Sequence, residues 1–274
     1  MSLNLEKATE LIIERSRQLV NQLIENRGHD KPPFLSEEFA RLLGVRNIVK
    51  TDLGKTSGVL LRFHDGPVIQ VNKNHNLARQ NFSCAHEIGH ILFSELKLDN
   101  YIQNIEYRTF NPQAHANSRI VARERLCHAT ATELLMPETI FKKHLLVLGA
   151  SINSIERLAN IFRVSIMATA WRIAEISSEP CITLIWQPLL RTRALRLVWC
   201  VGPGINITNK SNYVPVHTKV KYPSILHKAY EQNNTFKCYK KFKFGKDTKG
   251  LPIESKGFGR GENRYVVSLA YPER

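Results

Sequence analysis

His86-Glu87-Ile88-Gly89-His90 constrains this chain more than any other stretch. It sits in the apolar frame Phe82-Ser-Cys-Ala-His-Glu-Ile-Gly-His-Ile-Leu-Phe93, whose spacing predicts a helix from about Leu77 to Leu96, capped by Asn76. Residues four apart on a helix share a face, so both imidazoles can aim at one point about 2 Å away, the distance a zinc ion requires. Glu87 projects about 100° round from His86. That is close enough to hold a metal-bound water without being a ligand. One helical turn thus supplies two ligands and a base. The plain alternative is a helix whose histidines are packed or solvated.

The 274 residues, 43% hydrophobic and 23% charged, give room for two or three modest domains and exclude a chain dominated by disorder. With no apolar signal core at the N-terminus and no run of 18 apolar residues, nothing suggests export or a membrane span, and the cytoplasm is the expected location. Five scattered cysteines with no C-x-x-C pair argue for reduced thiols rather than disulfides or a thiolate zinc site. The net charge of +15 is concentrated late: Ser178 to Arg274 carries 17 Lys and Arg against 6 Asp and Glu. A basic C-terminal region invites a nucleic-acid or acidic-protein partner, although a solvated basic surface explains it equally well.

Ahead of the motif, Leu5 to Ile24 repeats apolar residues at three- and four-residue intervals and reads as an amphipathic helix. A second short helix runs from Ser36 through Leu43. The period then changes. Val59 to Phe63 and Val68 to Val71 flank His64-Asp65-Gly66-Pro67, a hairpin signal that places a strand just before the metal helix. Such an edge strand can hold a substrate segment by strand addition. Asp99 to Asn117 is polar and reads as a loop, long enough for a substrate lid, with His115 a candidate to steady an oxyanion.

A helical pattern resumes at Ser118 and stops at Pro137. A catalytic zinc needs a third protein ligand and one open position, so this helix should provide it. Glu124 and His128 lie four apart on one face, whereas Glu133 points about 180° away from Glu124. Spacing therefore leaves Glu124 or His128. The longer metzincin pattern is absent, because Phe93 and Leu96 stand where its glycine and third histidine belong.

Arg79 to Phe93 together with Glu124-Arg-Leu-Cys-His-Ala-Thr-Ala-Thr-Glu-Leu-Leu-Met-Pro137 resembles the ImmA/IrrE metallo-endopeptidases, gluzincin-like zinc enzymes. Their motifs run roughly R-x-x-F-x-x-A-H-E-x-G-H and E-x-x-x-N-x-F-A-x-x-L-L-x-P. The resemblance covers about residues 50 to 175. It implies that His86, His90 and Glu124 bind one zinc ion per chain and that Glu87 is the catalytic acid and base. Two positions depart from the pattern, His128 for asparagine and Thr130 for phenylalanine. His128 as an extra ligand fills the open position and makes the site structural; outside the ligand set it orients Glu124 or the water.

Ser154 to Ile173 resembles a helix-turn-helix, with its turn at Arg163-Val164-Ser165. Only Ser165, Thr169, Arg172 and Glu175 of the second helix can meet base edges, which favours packing or partner docking over DNA reading. Beyond Pro180, short strand-like runs and a helix from Ser224 to Gln232 suggest an α+β domain. In Phe236 to Phe244, alternation sets Cys238, Phe242 and Phe244 opposite Lys237, Lys241 and Lys243, and Gly257 to Gly261 reads as a turn.

The expected fold is α+β. It comprises a zincin-like catalytic domain over 1–142, with a small sheet, the motif helix and a second ligand helix; a helix-turn-helix-like segment over 143–178; and a basic α+β domain over 179–274, a candidate sensory domain. The expected reaction is peptide hydrolysis by zinc-bound water, its pKa lowered to about 7, with Glu87 taking the proton and passing it to the leaving amine. The resemblance implies specific cuts in an XRE-type helix-turn-helix repressor. The competing class is a DNA-binding or scaffolding regulator with a non-catalytic metal site, reaching nucleic acid through the basic C-terminal region; neither involves a membrane.

Overall fold

Leu5, Ala8, Ile12, Leu19 and Leu23 lie buried along one face of α1 (Leu3–Arg27), as their spacing demands. Burying each Leu or Ile contributes about 1.5–3 kcal/mol. The computed structural model describes residues 3–102, 112–178, 181–189, 192–202, 218–244 and 247–271. The chain is α+β and divides into two compact units, residues 1–141 with 161–165, and 142–160 with 166–274.

In the first unit, α2 (Ser36–Leu42) begins at Ser36, but the cap position belongs to Leu35, whose N–H donates to the Glu38 carboxylate at 3.3 Å. Three strands follow, β1 (Asn47–Thr51), β2 (Gly58–Phe63) and β3 (Gly66–Asn72), ordered β1-β3-β2. β2 and β3 form the expected hairpin, Phe63 opposite Gly66, while β1 pairs in parallel with β3. β2 is therefore an edge strand. The motif helix α3 (Leu77–Glu95) starts where Asn76 Oδ1 accepts the Arg79 N–H at 2.9 Å.

The stretch expected to be a loop is helical at both described ends, in α4 (Asp99–Ile102) and from Pro112 onward in α5 (Pro112–Leu135). Proline opens α5 because the first helical position needs no N–H. Residues 103–111, and with them the expected lid, lie outside the described residues, as does the side chain of His115. Glu133, near the end of α5, is buried and structural: its Oε1 accepts the Glu138 N–H at 3.2 Å and faces Arg17 Nε at 3.5 Å. Next come α6 (Glu138–Leu148), α7 (Ile152–Phe162) and α8 (Ile166–Ile176), the last two separated by a turn with Arg163 at φ 52°.

The second unit contains β4 (Ile182–Pro188), β5 (Leu195–Val201), β6 (Lys219–Val220), α9 (Ile225–Gln232), β7 (Phe236–Phe244), β8 (Asp247–Phe258) and β9 (Tyr265–Ala270). The strands make an antiparallel sheet ordered β6-β5-β4-β9-β8-β7. On one face Leu184, Trp186, Ile253 and Val266 form a core with Leu226 and Ala229 of α9. Trp186 Nε1–H donates to Ser268 Oγ at 3.1 Å, and Ser268 pairs with Ser255 at 2.7 Å, so the polar atoms buried there are matched. On the other face, Thr183 donates to the Ala170 carbonyl of α8 at 2.8 Å and Trp171 lies against Trp199. Along β7, Phe236, Cys238 and Lys240 are half-buried while Lys237, Tyr239 and Lys241 are exposed; the side chains of 242–244 lie outside the described residues. The glycine run read as a turn starts inside β8, and the chain turns only from Gly259. No helix among the described residues is long and apolar enough to cross a membrane.

Candidate metal centre

Two helices meet at the site because one residue on each leaves room. A Cβ on Gly89 of α3 would stand 2.7 Å from the Cα of Cys127 and 3.0 Å from its carbonyl oxygen, a clash with α5 backbone. Glycine lets the two axes close until side chains flanking it on α3 reach those of α5. His86 Nε2 then lies 3.0 Å from Glu124 Oε2, and His90 Nε2 lies 3.6 Å from Glu124 Oε1. One carboxylate thus spans both imidazoles. Glu133 takes no part.

Each imidazole faces its own Glu124 oxygen, at separations near those of zinc ligands. Ligands about 2 Å from a tetrahedral zinc stand roughly 3.3 Å apart, between the two values found, and neutral imidazole with carboxylate is a mixed donor set that suits zinc. Burial pushes the His86 imidazolium down to about 4, with His128 and His90 adding to the effect, and burial likewise lowers His90. Both rings are therefore neutral near pH 7 and keep a lone pair to offer.

Glu87 points elsewhere, toward the edge strand. It is buried, and a Cβ on Gly58 would come within 2.9 Å of its Oε1, so β2 passes close against the carboxylate. Burial first, then repulsion from Glu124, pushes its carboxyl up to about 7, while the Leu60 N–H it accepts works in the opposite direction. Further bonds hold β2 and the residue before it along α3: Arg79 donates to Ser57 Oγ at 3.1 Å, and Arg62 donates to the His90 carbonyl at 3.2 Å and to Ser94 Oγ at 2.8 Å.

Among the described residues, no hydrogen bond joins His128 to Glu87 or Glu124. Its ring is open to solvent on one side and stands edge-on to His86, centroids 4.7 Å apart, with Phe82 at 5.4 Å beyond it. Sequence reasoning missed Cys127, whose Sγ lies 3.3 Å from His90 Nδ1. Donor atoms of His86, His90 and Cys127 all fall within 4.8 Å of one another. That group leaves out Glu124, so the described donors offer two arrangements, one with the Glu124 carboxylate at Nε2 of His90 and one with the Cys127 sulfur, which here lies at its Nδ1. The only sequence hint was the position of Cys127 three residues after Glu124, nearly one helical turn.

A pair of imidazoles facing one carboxylate, with a second carboxylate buried alongside, makes a candidate metal centre. Residues 43–174, just under half of the chain, match the family model described as the IrrE N-terminal-like domain, in keeping with the resemblance to the ImmA/IrrE metallopeptidases. Among curated proteins the chain is similar to the radiation response metalloprotease IrrE of Deinococcus radiodurans, 29% identical over 122 residues, which are 44% of this chain and 35% of that protein. The match thus spans about a third of that relative's length. Among solved structures the fold resembles a Mycobacterium tuberculosis transcriptional regulator, with a TM-score of 0.62 at 14% identity, over 98% of this chain and 94% of the other.

Proposed function

We propose that the chain is a zinc-dependent endopeptidase that makes one or a few regulatory cuts in a helix-turn-helix repressor of the XRE type. The observation that carries the proposal is the convergence of His86 and His90 on the Glu124 carboxylate, with Glu87 buried beside a free strand edge. His86, His90 and Glu124 hold the ion. When bound, zinc supplies Lewis acidity, lowering the pKa of a water to about 7 and polarising the scissile carbonyl.

The rest falls to the protein. Glu87, oriented by the Leu60 N–H and shielded from solvent, accepts the proton of the attacking water and returns it to the leaving amine. Because the Leu60 N–H turns away from β3 toward Glu87, the alternation of an antiparallel strand turns Gly58 and Arg62 the same way. Those main-chain groups can pair with an extended substrate and lay its peptide bond beside Glu87. His128 and Phe82 wall the opening on the α5 side.

The regulatory reading is supported by the family and by the relative, a protease of a radiation response. Incubating zinc-loaded protein with candidate repressors and mapping products by mass spectrometry should show one or two discrete cuts, abolished by chelation. Every candidate surviving intact contradicts it. A second reading, nucleic-acid contact, is favoured by the exposed Lys237, Tyr239 and Lys241 on the outer face of β7. Salt-sensitive duplex binding that survives metal removal distinguishes it.

A further inference from the structure

The geometry points to Cys127 as the positioning residue of the metal centre: its sulfur accepts the Nδ1–H of His90 and so fixes the tautomer in which Nε2 carries the lone pair. The inference rests on the proposed role of His90 as a ligand and names what holds that ligand in place.

A neutral imidazole has one N–H and one lone pair, and the partner at one nitrogen decides which form the other takes. His90 Nε2 faces the Glu124 carboxylate at 3.6 Å, so as a ligand it must be the bare nitrogen. The proton then belongs to Nδ1. The described partner at that nitrogen is Cys127 Sγ, 3.3 Å away and buried. In most such centres a carboxylate or main-chain carbonyl holds the far N–H of a metal-bound histidine. Here a sulfur does so, and the tight approach of Gly89 to the Cys127 backbone keeps it in register with His90.

His86 provides the internal contrast. Its Nδ1 is buried with no hydrogen-bond partner among the described residues, so His90 is the ring whose orientation the protein controls directly. Sulfur is a weak acceptor, which sets the size of the effect. Losing such a partner costs about 10- to 100-fold in metal affinity when it is a strong one, so the low end is expected here.

The test is zinc affinity by competition with a chromophoric chelator for the full-length wild type, Cys127→Ala and Cys127→Ser, together with the absorption spectrum of each after cobalt substitution. Alanine should weaken zinc binding about tenfold, the low end expected for a weak acceptor. Serine, which keeps an acceptor, should recover most of the loss. Metal-free melting curves of the three proteins should coincide closely, separating positioning from folding. Equal zinc affinity in wild type and Cys127→Ala overturns the inference while leaving the metal centre standing. An intense thiolate-to-cobalt band in wild type that vanishes in Cys127→Ala also overturns it, making the sulfur a ligand. Wild type that binds no stoichiometric zinc overturns the metal centre itself, and the inference with it.

Discussion

Glu87→Gln should leave zinc bound and reduce peptide cleavage about a thousandfold, within the range that a lost general acid and base normally costs. The side chain is buried against Gly58 with no space to spare, and glutamine matches its shape. The amide oxygen still accepts the Leu60 N–H, so β2 keeps its place beside α3. The two imidazoles and Glu124 contact one another without Glu87, so the proposed metal ligands are untouched. What disappears is a carboxylate able to accept a proton. Zinc titration and single-turnover cleavage measured on the same sample separate the two effects, and a variant that still cleaves at the wild-type rate removes Glu87 from the chemistry.

The second large effect is expected at a residue that touches no substrate. In Gly89→Ala the new methyl group meets α5 backbone at 2.7 Å, and backbone cannot swing aside. The helices must part by several tenths of an ångström. Overpacking of this kind costs about 1–3 kcal/mol, which corresponds to a fall in melting temperature of several degrees for a unit of this size. The same displacement carries Glu124 away from His86 and His90, so the stabilisation that zinc gives by mass action should shrink as well. Melting curves with and without zinc measure both terms. A variant that melts like wild type and gains as much from zinc shows that the close approach is not needed.

Local signals made much of the site legible in the sequence. The motif helix announced itself by apolar spacing and by Asn76 at its start, and the β2–β3 hairpin by alternation around His64 and Asp65. The third ligand was narrowed to Glu124 or His128 by periodicity alone. What periodicity could not show is the crossing of α3 and α5, which turns Glu124 toward both Nε2 atoms and leaves His128 against the flank of His86.

What stayed hidden was set by distant partners. β1 has a mixed exposure pattern and becomes a strand only by parallel pairing with β3. β8 contains Gly250, Pro252 and Gly257, residues that argue against a strand, yet it is held on both sides by β7 and β9. Gly257 is needed there because a side chain would strike the Ala229 carbonyl of α9 at 2.4 Å. Cys127 looked like a scattered thiol until α5 brought it to His90.

Anomalous scattering at the zinc absorption edge, recorded from crystals of the wild-type protein, tests the central claim most directly. The account predicts one zinc site about 2 Å from His86 Nε2, His90 Nε2 and a Glu124 oxygen, with the remaining position open to solvent. An ion held by Cys127, a Glu124 side chain turned away from it, or His128 occupying the open position contradicts that account.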